Sequence, residues 1–173
     1  MLPDAKPEHM TALVGDVLVE KDHPMIALRG QLDSLEAQVV AAQLVFQRLC
    51  LPDGIADLED VLQCLKQVMR ATVLGVPIEP PTLLGLTAGQ LREVSHHPAR
   101  TFGLPHFFTT LDDGEAVITL NLLRTKAREV ELAAYAALKY QDQEQAGVMM
   151  TLNRLSSALY IMMFKAKAGQ YSR

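Results

Sequence analysis

Between Leu28 and Leu49 the apolar side chains recur at alternating steps of four and three: Leu28, Leu32, Leu35, Val39, Ala42, Phe46 and Leu49. On a helix that spacing draws one unbroken stripe along one face. A strand cannot present it, because its side chains alternate with a period of two. A helix with so long a seam must bury it against other helices, so the feature points to a bundle. "DHP" ahead of the seam reads as its start, since proline is tolerated in a helix's first turn, and "LPDG" at 51–54 reads as its end. Two more stripes repeat the pattern: Leu58, Val61, Leu65, Val68 and Val73, then Val148, Leu152, Leu155, Leu159 and Met162.

The remaining segments fit around these seams. A polar N-terminal segment, residues 1–20, runs into Lys21 through "TALVGDVLVEK", a loop or a short strand. "GVPIEPP" at 75–81 breaks the second stripe. "TAGQLREVSHHP" reads as a short helix with a capping box between Thr87 and Gln90, closed by Pro98. Residues 99–114 form the longest irregular stretch and carry Phe102, Phe107 and Phe108. Another long helix runs from about 114 to 140, and the last follows "QDQEQ". The expected fold is all-α, a five-helix bundle of four long helices and one short, with little or no sheet. The 173 residues suit a single domain with one core. Seams at seven-residue spacing also suit assembly into a homo-oligomer.

Composition narrows the function. A formal net charge of −4 argues against a nucleic-acid binder. No run approaches the length of a membrane span, and "MLPDAKPEHM" has no apolar core of a signal peptide. Cys50 and Cys64 stand apart with no C-x-x-C, which suits a cytoplasmic setting with both as small core residues. There is no Walker-type loop and no G-x-G-x-x-G, and "SHHP" with His106 lacks metal-ligand spacing, so no metal site is expected.

Three groups of polar residues interrupt the apolar pattern. In "LNLLRTKAREVELAA", Arg124, Arg128 and Glu131 stack on one helix face. They form either a solvated ion-pair row, which spacing alone favours, or an anion site. In "TLNRLSSALY", Asn153, Ser156 and Tyr160 share a face away from the leucine stripe, as an ordinary polar face or one placed for a partner. Asp33 lies beside the first seam and calls for a cation there; Arg124 is a candidate. At least one phenylalanine of the 99–114 loop should cover an apolar ligand face or another subunit, unless all three only cap the bundle.

"HPMIALRGQLDSLEA", "GLTAGQLREVSHHP", "NLLRTKAREVE" and "LNRLSSALYIMM" follow one another in an order and at gaps that resemble the PduO-type ATP:cob(I)alamin adenosyltransferases, above all their ethanolamine-utilisation branch, from about residue 9 to 165. The resemblance implies a five-helix bundle assembled as a trimer, with ATP and corrinoid meeting between subunits. It implies transfer of the 5′-deoxyadenosyl group of ATP to cob(I)alamin with release of triphosphate. ATP with Mg2+ or another divalent cation, a reductase and a cytoplasmic or microcompartment-associated setting belong to the same expectation. By it Lys21, Arg128, Glu131 and Asn153 are ATP-site residues. Asp33 and Arg124 are a structural ion pair at the subunit contact. Phe102, in "FGLP", displaces the lower corrinoid ligand, with Phe107 and Phe108 as the alternatives if the register shifts. No side-chain nucleophile is expected.

Departures from the pattern qualify this picture. Where PduO-type enzymes carry a glycine-rich phosphate loop, this chain has "DAKPEHMTA". Ser157 replaces the aspartate that follows "NRLS" in that branch, as in the ethanolamine branch. Longer members of the ethanolamine branch carry an N-terminal His/Cys metal cluster, and this sequence starts beyond where that would lie. The missing glycines keep open a second reading, a non-catalytic corrinoid- or nucleotide-binding carrier or assembly protein on the same scaffold.

Overall fold

The computed structural model describes residues 6–139 and 146–171. A β-hairpin of β1 (Met10–Val14) and β2 (Val17–Glu20) precedes α1 (Pro24–Arg48), α2 (Pro52–Leu74), α3 (Ala88–His96), α4 (Pro98–Phe102), α5 (Gly114–Leu138) and α6 (Ala146–Lys167). The four long helices are those marked by the seams and by the stretch from 114. All the apolar seam residues of α1 from Leu28 to Phe46 are buried, as are Leu58, Val61, Leu65 and Val68 of α2 and the whole α6 stripe. Val73 is only half-buried; Ala71 and Thr72 take the inward positions of that turn. α5 packs on α6 and α1, α1 on α2, and α3 on α6.

The link between α1 and α2 differs from the expectation. Cys50 adopts a left-handed φ of 57°, its N–H donates to the Gln47 carbonyl at 3.1 Å, and the Leu51 N–H donates to the Phe46 carbonyl at 3.0 Å. This is a Schellman stop, made without the usual glycine. "LPDG" therefore opens α2 rather than closing α1: Leu51 is the cap and Pro52 the first helical residue. Gly54 is inside the helix because it faces Phe46. A Cβ there would lie 2.3 Å from Phe46 Cδ1.

Two short elements were not expected. Pro98 starts α4 instead of closing the preceding segment, and a 3-10 turn at Leu111–Asp113 leads into α5, so residues 99–114 are partly helical. "TALVGDVLVEK" is a hairpin, held to the bundle by Arg29, which donates to the Leu13 carbonyl at 2.6 Å and the Thr72 carbonyl at 2.7 Å. The capping box of α3 is present, with the Thr87 N–H donating to Gln90 Oε1 at 2.9 Å and the Gln90 N–H to Thr87 Oγ1 at 3.4 Å. The linker between α2 and α3 lies across the first turn of α6, where a Cβ on Gly147 would sit 2.2 Å from the Ile78 carbonyl oxygen.

Asp57 joins α2 to the end of the chain. It pairs with Lys165 and accepts the Tyr171 hydroxyl at 2.8 Å, while the Tyr171 ring packs edge-on against Phe46 with centroids 5.8 Å apart. Burial, then the Asp57 charge, raise the Tyr171 pKa, so the phenol remains a donor. Cys64 is a core residue, and burial pushes its thiol up to about 12. Cys50 is exposed, contrary to the expectation, because it belongs to the helix stop and not to the seam. No described helix is long and apolar enough to cross a membrane.

Gly54→Ala drives a methyl group into the Phe46 ring and should lower the unfolding free energy by about 1–3 kcal/mol, the usual cost of overpacking. Urea unfolding checks this; an unchanged midpoint would mean that the two helices part freely.

Candidate functional site

α5 and α6 bring their polar faces together. Arg124 and Arg128 from α5, and Asn153, Arg154, Ser156, Ser157 and Tyr160 from α6, line a cleft of about 270 Å³, closed at one end by Ser95 and His96 of α3. The two separate polar patterns of the sequence thus form one site.

Two of the three guanidinium groups, those of Arg124 and Arg154, are held without being neutralised. Arg124 donates to Asn121 Oδ1 through Nε at 3.1 Å and through a terminal nitrogen at 2.9 Å, and it lies over the Tyr160 ring at 5.7 Å. Burial and the nearby Arg128 pull its pKa below the usual arginine range, with Tyr160 opposing. Arg154 donates to Asn153 Oδ1. Burial lowers its pKa, Arg92 lowers it further, and Glu131 opposes. Arginine stays charged through shifts of this kind. Arg128 is exposed at the rim. Glu131 does not hold Arg128; it accepts from Asn153 Nδ2 at 2.7 Å. The chain Glu131–Asn153–Arg154 backs the cleft, and no described lining residue is a carboxylate. Three cations with their donors turned to a partly desolvated space attract an anion with several oxygens.

The other expected residues lie elsewhere. Glu131 lines a neighbouring hollow of about 300 Å³ with Arg128, Leu132, Tyr135 and Met149. Lys21 is exposed just after β2 and does not line the cleft. Asp33 is exposed on α1, and within the chain it makes no ion pair with Arg124, whose partner is Asn121. Set one residue past the buried Leu32, Asp33 faces water and needs no cation inside the chain. Phe102 stacks on Phe164 with centroids 5.5 Å apart, Phe107 meets the same ring edge-on at 5.0 Å, and Phe108 is 95% exposed. Among the described residues no group of three or more His, Cys, Asp or Glu is arranged to hold a metal ion.

Arg154 was not expected in the site; Ser157 stood out only as a departure from the family pattern, and Ser95 and His96 only within "SHHP". Arg154 sits inside the "NRLSS" stretch next to Asn153, and that adjacency was the available signal. Neighbours in a helix point about 100° apart, so spacing alone assigned it to another face.

The helical body agrees with the family to which the sequence is related. The family model for cobalamin adenosyltransferase matches residues 4–166, and the chain belongs to that family. It is 33% identical over 165 residues to the corrinoid adenosyltransferase EutT of Salmonella typhimurium strain LT2, covering 94% of this chain and 60% of that protein. The corrinoid adenosyltransferase EutT of Escherichia coli K12 is 34% identical over 167 residues, covering 95% of this chain and 61% of that protein. The chain thus spans about three fifths of the length of these relatives. No solved structure matches it.

Asn153→Ala leaves the half-buried Glu131 carboxylate and Arg154 without their shared partner and should cost about 1–3 kcal/mol of stability. Asn153→Asp sets two carboxylates against each other and should cost more. Thermal unfolding of both variants checks the order; the reverse order would show that this bond does not carry the α5–α6 contact.

Proposed function

We propose that this chain is the helical body of a corrinoid adenosyltransferase, which moves the 5′-deoxyadenosyl group of ATP to cob(I)alamin, releases triphosphate and serves ethanolamine utilisation. The observation that carries the reading is the cleft in which Arg124, Arg128 and Arg154 converge with Asn153 and no described carboxylate. The cob(I)alamin cobalt supplies the electron pair that attacks C5′, and the C5′–O bond breaks toward the triphosphate. Charge therefore grows on the phosphate side, where fixed guanidinium groups stabilise the leaving group. The rest of the protein's work is positioning and exclusion of water.

The residue roles follow. Arg128, free at the rim, faces the phosphates; Asn153, held by Glu131, presents a fixed amide to the nucleotide. Lys21, outside the cleft of its own chain, reaches the phosphates of a neighbouring subunit in a trimer with sites between subunits. Exposed Leu122, Leu132 and Tyr135 on α5 support such assembly. Asp33 and Arg124 then pair across subunits. A divalent cation such as Mg2+ rides on the triphosphate, as its preference for phosphate oxygens allows. On the corrinoid side, Phe108 has the free face, while Phe102 and Phe107 brace the loop on Phe164. A reductase supplies the electron that makes cob(I)alamin, in the cytoplasm or beside a bacterial microcompartment.

The test is incubation with ATP, cobalamin and a strong reductant. Growth of the Co–C absorbance supports transfer; binding without conversion supports the carrier reading instead. Arg128→Ala should reduce kcat/KM about 100-fold or more, the scale of losing a donor aimed at developing charge, with folding unchanged. Unchanged kinetics would make Arg128 a surface cation. Asp33→Ala should shift sedimentation from trimer toward monomer, because the partner guanidinium is stranded at the contact. A trimer of full strength would remove Asp33 from the interface.

A further inference from the structure

Tyr160 stands where the cleft meets the phenylalanine loop. Its ring lies under the Arg124 guanidinium on the cleft side, at 5.7 Å, and packs on the edge of Phe164 behind, at 5.0 Å. Its hydroxyl is 2.9 Å from His106 Nδ1, with the two rings only 7° from parallel. The other ring nitrogen, His106 Nε2, lies 3.3 Å from the His96 carbonyl. A carbonyl only accepts, so Nε2 carries the proton and Nδ1 is the acceptor. The Tyr160 O–H therefore donates to Nδ1. Its oxygen remains free to accept. The result is one directed chain, from Tyr160 through His106 to the end of α3.

The chain explains an otherwise unfavourable feature. Phe108 is 95% exposed, two residues from the tethered His106 ring. A free loop would fold that ring onto apolar surface. The loop is held a second time by Lys167, which lies 4.3 Å over the Phe107 ring and pairs with Asp113. Both ties leave Phe108 as the projecting group.

We propose that Tyr160 and His106 are positioning residues that hold the loop so that Phe108 is presented to the corrinoid, and that Tyr160, which also lines the arginine cleft, joins the two substrate regions into one rigid unit. The inference rests on the adenosyltransferase reading above.

The experiment compares the full chain with Tyr160→Phe, His106→Leu and His106→Asn. Tyr160→Phe removes the hydroxyl and keeps the ring. His106→Asn keeps a polar atom near the Nδ1 position. Amide exchange at Phe107 and Phe108 should quicken about tenfold in Tyr160→Phe and His106→Leu, as expected for one lost hydrogen bond, with α5 and α6 unchanged. The KM for cob(I)alamin should rise about five- to tenfold while that for ATP stays within about twofold, and His106→Asn should recover part of the loss. Unchanged exchange in Tyr160→Phe overturns the anchor. Faster exchange with an unaltered corrinoid KM overturns its positioning role, as does an equal loss toward both substrates with a lower Tm. A wild-type chain that converts no corrinoid defeats the functional reading, and the exchange measurement still decides whether Tyr160 holds the loop.

Discussion

The hydrogen bond from Asn153 to Glu131, at 2.7 Å, fixes what α5 and α6 present to each other. Ala127 and Ala134 on α5 and Leu152 and Leu155 on α6 are buried, and the two helices pack on each other. Apolar packing of that kind tolerates a slide along the helix; a bond to a charged carboxylate does not. With the register set, Arg124 and Arg128 fall beside Ser156 and Tyr160, and the cleft exists. A slip of one turn would leave the same residues as two unrelated polar faces. The Asn153 carbonyl is used as well, by Arg154, so one carboxylate orders two further side chains.

The rest of the bundle supports that register through close approaches. Gly54 lets α2 lie against Phe46, and Gly147 lets the linker after α2 lie against the start of α6. Asp57 draws Lys165 and Tyr171 to α2, which clamps the far end of α6. The helix that carries Asn153 is thus constrained at its beginning, where Gly147 meets Ile78, and at its end. The polar residues lie between these two fixed points, where the least movement is expected.

The seams were legible because burial imposes a period and the period survives without coordinates. Leu28 to Phe46 and Val148 to Met162 are buried as their spacing requires. The capping box at Thr87 was legible because it is a local bond between named residue types. Glycine and proline misled where their role was tertiary: Gly54 marks a contact with Phe46, and Pro98 begins a helix rather than ending one. In the site, Arg124, Arg128, Asn153, Ser156 and Tyr160 could be named from helical spacing, but their union depends on the α5–α6 register, which no local pattern records. The exposure of Phe108 rather than Phe102 was equally hidden, since all three phenylalanines share one loop and only Phe164, far along the chain, separates them.

The partners of the arginines set the charge of the cleft. Partly burying a guanidinium costs solvation, and a protein built for stability alone would offset that with a carboxylate or replace the pair with apolar groups. Here Arg124 rests on an amide oxygen and an aromatic face, both neutral, and Arg154 on another amide oxygen. Glu131 is engaged by Asn153, and no carboxylate is among the described lining residues. Such partners orient the charges and leave them uncompensated. Solvation lost on folding in this way is recovered when an anion meets the uncompensated charge. A surface ion-pair row would show the opposite arrangement, each arginine matched to its own acid and no space held between them.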